Sequence, residues 1–241
     1  MPLNAVFDVY WTKPMTEAER RARLLAWLDI ISKDVQDLLL DDHVYWELQK
    51  LIKANPTFQQ RSGFFNQWMT SSFAQATAVG VRRQAKKGED SISLARFLDE
   101  VKANRVLVSR EHYLSLFVGK PDWLRDAAGE TFDRRAGVNE SAIPVSVVES
   151  QISDLKAAVG AIEHFVDRRV AHYDKRGLAQ PTPTFDDLTN SLRALEKLVL
   201  FYSLLLTGAS MDTLRPTLQF DWQDVFNFPW TAPSSSEGEL M

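Results

Sequence analysis

Ser146-Val147-Val148-Glu149-Ser150-Gln151-Ile152-Ser153-Asp154-Leu155-Lys156-Ala157-Ala158-Val159-Gly160-Ala161-Ile162-Glu163-His164-Phe165-Val166 is the stretch that decides the fold. Val148, Ile152, Leu155, Val159, Ile162 and Val166 recur at alternating spacings of four and three, which puts them on one face of an α-helix. A second stripe follows with the same rhythm: Leu188, Leu192, Leu195, Val199, Tyr202 and Leu206. Thr184, with Asp187 three residues on, offers that helix its N-cap, and Gly208 offers its stop. Between them lies the Pro-bearing connection Gln180-Pro181-Thr182-Pro183. The pattern predicts an antiparallel hairpin of long helices, about 146–176 and 184–207, each seam buried against the other or a neighbour.

Outward from the hairpin the chain stays helical. Thr16 and Glu19 form a capping box ahead of Leu24, Leu28, Ile31, Val35 and Leu38. That stripe falters at Asp41-Asp42, resumes through Val44, Leu48 and Leu51, and closes at Asn55-Pro56. An aromatic-rich helix (Phe58, Phe64, Phe65, Trp68, Phe73) runs toward Lys86-Lys87-Gly88, and Ser91-Ile92-Ser93 caps a short helix carrying Leu94, Phe97, Leu98 and Val101. Less regular pieces hold Tyr113, Leu116 and Phe117, then Trp123 and Leu124. The polar segment from Gly129 to Asn139 reads as a loop, and Val6–Trp11 and Val106–Val108 give weak strand signals. These readings make one all-α helical bundle of residues 1–230, with residues 231–241, including Ser234-Ser235-Ser236-Glu237-Gly238, as a disordered tail.

Composition narrows the function. The 241 residues are 45% hydrophobic and 25% charged, an ordinary globular balance. A net charge of −4 argues against a surface that coats nucleic acid throughout, though a local basic site stays open. The absence of Cys excludes disulfides, thiolate nucleophiles and Cys-ligated metal centres. Without a secretory signal pattern or a bilayer-length apolar run, the expectation is a cytoplasmic protein with no membrane partner.

Chemistry concentrates in Asp167-Arg168-Arg169-Val170-Ala171-His172-Tyr173-Asp174-Lys175-Arg176. Imidazole can move a proton near neutral pH, and guanidinium can hold a phosphate. On a wheel of roughly 100° per residue, His172 lies about 110° from the seam, in line with Ala158, Ala161 and Phe165. Arg168 precedes it by one turn, while Arg169 leans toward the seam. A two-fold partner on that small-residue face would join two copies of Arg168 and His172. The plainer reading is that Arg168, Arg169, Lys175 and Arg176 are helix-end cations favoured by the macrodipole. Arg82, Arg83, Lys86 and Lys87 read as another solvated helix end. The tryptophans read as core or docking anchors, since no basic groove interleaves them. His164 and His172 stand about 12 Å apart along a helix, too far to chelate one metal, so neither metal nor cofactor is expected.

The segment Phe165–Arg176 resembles the signature of the HEPN superfamily, and the wider pattern resembles its AbiU-like, abortive-infection branch. The pieces that carry the resemblance are Ser91-Ile92-Ser93-Leu94, Arg168 through Asp174, Pro183 through Leu188, Leu206-Thr207-Gly208, Asp221-Trp222 and Pro229-Trp230. The resemblance implies a helical bundle that dimerises, a metal-independent endoribonuclease, and a role in phage defence or a toxin–antitoxin system beside an antitoxin or defence partner protein. It assigns catalysis to His172 and Arg168. Arg169, Tyr173, Lys175 and Arg176 would bind phosphate or RNA, and Asp167 or Asp174 would orient the imidazole. Active members keep four to six residues between Arg and His, whereas Arg168 leaves three here. The alternative is a catalytically silent dimeric scaffold of the same fold that binds a nucleotide or a partner. A helix-turn-helix regulator ranks below both, because no compact recognition helix stands out.

Overall fold

The computed structural model describes residues 15–88, 90–170 and 182–227. Its helices are α1 (Glu17–Ala54), α2 (Pro56–Arg61), α3 (Gly63–Ala85), α4 (Leu94–Ala103), α5 (Arg110–Ser115), α6 (Asp122–Ala136), α7 (Val145–Phe165) and α8 (Phe185–Thr207). Four of these, α1, α3, α7 and α8, form an up-and-down bundle. α1 and α7 each pack on both α3 and α8, and α4 covers α7. The cross-links fix the directions. Ser191 and Tyr202 of α8 reach Ala158 and Gln151 of α7, and Arg83 and Phe73 of α3 meet Asp34 and Tyr45 of α1. Both pairs are therefore antiparallel, and the 7–8 hairpin forms as the stripes predict.

Its seam is dry. Val148, Leu155, Val159, Ile162 and Val166 face Leu188, Leu192, Leu195, Val199, Tyr202 and Leu206, all buried. Removing such a side chain from water contributes about 1.5–3 kcal/mol each, which makes this seam the main source of hairpin stability. Both expected ends of α8 are present. Thr184 and Asp187 exchange capping hydrogen bonds, and Gly208 takes the left-handed φ of 72° that favours glycine.

α1 is one unbroken helix, although its stripe meets two acids at Asp41-Asp42. Asp42 is only 3% exposed yet satisfied: its carboxylate accepts from Trp46 Nε1 at 3.1 Å and from Arg215 at 3.3 Å. Burial pushes this carboxyl above its ordinary range, outweighing the opposing pull of Arg215 and the Trp46 hydrogen bond. Farther along, Tyr45 stacks on Phe73 at 4.0 Å and on Phe185 at 5.6 Å, joining α1, α3 and α8. Gly80 lets α3 approach α1 closely, since a Cβ there would lie 2.4 Å from Leu38 Cδ2.

Three local expectations change. The aromatic-rich helix read from Phe58 toward Lys86 is two, α2 and α3, parted at Ser62. The segment read as a loop from Gly129 is mostly helix, because Ala128, Phe132 and Ala136 give α6 a narrow buried face up to the turn at Gly137. Val106–Val108, read as a weak strand, belongs to a 3₁₀ turn, Arg105–Val108, beside an isolated bridge between Ser109 and Ala142. No helix among the described residues is long and apolar enough to cross a membrane. Val6–Trp11 and the tail 231–241 lie outside the described residues.

Candidate functional site

After Phe165 the helix widens. Val166–Val170 form a π-helical turn, with Val166 buried and Val170 packed against the core. Such turns occur often at functional sites, because the wider hydrogen-bond ring re-aims the side chains on it. A wheel with uniform 100° steps therefore misplaces residues beyond Phe165. The face before it is unevenly covered. The Ala158 carbonyl accepts the Ser191 hydroxyl at 2.8 Å, Ala161 is exposed, and Phe165 packs partly into the core.

The turn is held from α3. Arg82 donates to one Asp167 oxygen, and Lys86 reaches the other at 3.0 Å. Lys86 also meets Glu163, one turn earlier on α7, at 2.9 Å. Burial raises the Asp167 carboxyl, but the hydrogen bonds and charges of Lys86 and Arg82 together outweigh it and hold the group below its usual range. The hydrogen bond to Glu163, then that to Asp167, pushes Lys86 upward in turn. The basic end of α3 is thus not the solvated terminus its sequence suggests. Arg83 pairs with Asp34, and Lys87 with Asp99 at 2.5 Å.

The two arginines of the turn differ. Arg169 donates to the Thr182 hydroxyl at 2.9 Å, across the hairpin connection. Arg168 is half-buried and has neither an ion-pair nor a hydrogen-bond partner among the described residues. Asp167, assigned from sequence to orient the imidazole, has its two oxygens engaged by Arg82 and Lys86. His172, Tyr173, Asp174, Lys175 and Arg176 lie outside the described residues.

The remaining histidines are scattered. His112 Nε2–H donates to the Leu206 carbonyl at 3.1 Å and so caps the last turn of α8, while His164 is exposed on α7. Among the described residues no three His, Asp or Glu side chains group as metal ligands.

A second basic place was not legible in the sequence. Arg135, Arg193 and Lys197 line a cleft of about 360 Å³ over the outer face of α8, with Arg135 also 5.6 Å from the Phe201 ring centroid. Glu196 at its edge is occupied by the Thr213 hydroxyl and the Leu214 amide. The i,i+4 spacing of Arg193 and Lys197 was the available signal, but Arg135 joins them only through the fold.

These elements define an all-α, up-and-down helical bundle with a charged π-helical turn at the end of its third long helix. Comparison with protein-family models, with curated proteins and with solved structures finds no significant match for the chain.

Proposed function

We propose that this protein is a HEPN-type, metal-independent endoribonuclease of phage defence or of a toxin–antitoxin pair, with its centre at the α7 end. The observation that carries the reading is the division of labour within the turn. Asp167 is neutralised by Arg82 and Lys86, and Arg169 bonds Thr182, while Arg168, four residues before His172, has no ion-pair or hydrogen-bond partner among the described residues. A guanidinium kept out of protein ion pairs is available to a phosphate. In this reading His172 takes the proton from a ribose 2′-hydroxyl or returns one to the departing 5′-oxygen. Arg168 stabilises the added negative charge on phosphorus. Tyr173, Lys175 and Arg176 hold neighbouring phosphates, and Asp174 orients the imidazole, since Asp167 is already engaged. A two-fold partner on the α7 face that exposes Ala161 would pair two such centres.

RNA cleavage in excess EDTA tests this. The wild-type chain should leave 2′,3′-cyclic phosphate ends, and His172→Ala should abolish cleavage. Arg168→Ala should lose about a hundredfold or more in rate. Arg169→Ala should lose less, because that side chain is engaged with the hairpin connection. Ala161→Arg should weaken self-association in sedimentation. The three-residue gap between Arg168 and His172 favours a second reading, a silent scaffold. Wild-type protein inert on every RNA yet dimeric would establish that reading instead.

A further inference from the structure

The corner where α1 ends and α3 begins has an unusual surface. No Asp or Glu occurs between Glu47 and Glu89, while Lys50, Lys53 and Arg61 are exposed around the turn. Of these, Lys50 pairs with Glu47 at 2.6 Å, whereas Lys53 and Arg61 have no ion-pair partner among the described residues. Between α1, α2 and α3 lies a hollow of about 410 Å³ walled by Leu51, Ile52, Phe58, Phe65, Met69 and Phe226. Beside it on α3, Trp68 lies 6.0 Å from Phe65 and is 58% exposed, and Phe64 is 84% exposed. Large aromatic rings held in water around a concave apolar surface mark a binding face, and the volume suits inserted side chains.

We infer that this hollow binds an acidic, aromatic-bearing peptide segment of a partner protein. The chain itself carries a segment of that chemistry at one end of the hollow. Phe220-Asp221-Trp222-Gln223-Asp224-Val225-Phe226-Asn227 has three aromatic rings, two acids and no cation. Phe226 supplies one wall, and Trp222 meets it edge-on at 6.3 Å. Phe226 thus fills apolar space, and the charge of Asp221 and Asp224 is opposite in sign to that of Lys53 and Arg61. The rest of the hollow, toward Phe58 and Phe65, offers the same combination to a second segment. Apolar side chains inserted from one face and complementary charge at the rim are how grooves recognise short segments. A concave site fits such insertion better than it fits a membrane surface, which takes protruding rings and covers no hollow.

Fluorescence polarisation with a labelled synthetic peptide of residues 218–227, titrated with the full-length chain, tests the inference. The Phe226→Ala chain, whose own ring no longer fills that end of the hollow, should bind this probe about tenfold more tightly than wild type, because the probe's Phe226 can take the vacated space. Phe65→Asp, at a residue already partly in water, should abolish binding while circular dichroism is unchanged. Lys53→Glu with Arg61→Glu should weaken binding at least about tenfold, as should placing Asp221→Lys and Asp224→Lys in the peptide. Three results overturn the inference: no saturable binding up to about 1 mM, which is barely 4 kcal/mol of affinity; binding indifferent to those substitutions; or Phe65→Asp instead abolishing self-association or sedimentation with phosphatidylserine vesicles, either of which assigns the face to another occupant.

Discussion

α7 makes two contacts of opposite kind. Against α8 it presents an unbroken apolar stripe, Val148 to Val166, that needs no charged partner. Toward α3, on another face at its C-terminal end, Arg82 and Lys86 hold Asp167 and Glu163. The first contact is non-directional and strong through area. The second is directional, partly wet and individually weak, but it decides where the π-helical turn sits. The fold rests on the seam, and the aim of the candidate site rests on the ion pairs.

Breaking the seam should have the largest effect. Leu195→Ala, at a fully buried position, should lower stability by about 2–5 kcal/mol in urea unfolding. Gly80→Val should come next, at about 1–3 kcal/mol, because branched carbons would meet Leu38. Asp167→Asn should cost under about 1 kcal/mol, since the pair is partly exposed, yet it should impair the site's activity well beyond that loss. Acid should imitate it. The Asp167 carboxyl lies below its ordinary range when folded, so its contribution is complete above about pH 4 and disappears as pH falls through the folded-state value. Hydrogen-exchange protection at Val166–Val170 should fall there while the centre of α8 stays protected. Thr77→Val should give the smallest change, a gain of up to about 1 kcal/mol, because it deletes a buried hydroxyl with no hydrogen-bond partner among the described residues.

What the sequence disclosed follows the same division. The stripes of α1, α7 and α8 and the caps at Thr16 and Thr184 are local patterns, and all were legible. α6 was not, because one Phe and two Ala make too narrow an apolar face to stand out among its charges. Asp42 reads as an interruption until Arg215 is brought to it. The ties at the α7 end were hidden for a similar reason. Arg82 and Asp167 are 85 residues apart, and an ion pair leaves no periodic trace in either segment. Arg168 was legible as a chemical group, but the π-helical turn that sets its direction was not.

The order of helices along the chain has a kinetic consequence. The 7–8 hairpin closes through bonds only 33 and 51 residues apart, whereas Asp42 must find Arg215 across 173. Closing the shorter loops loses less chain entropy, and α1 and α3 are joined by bonds only 25 and 49 residues apart, so the 1–3 and 7–8 hairpins should each gather before they dock on one another. Leu195→Ala and Gly80→Val, each inside a hairpin, should then slow folding, while Arg215→Ala, at the long-range contact with Asp42, should mainly speed unfolding.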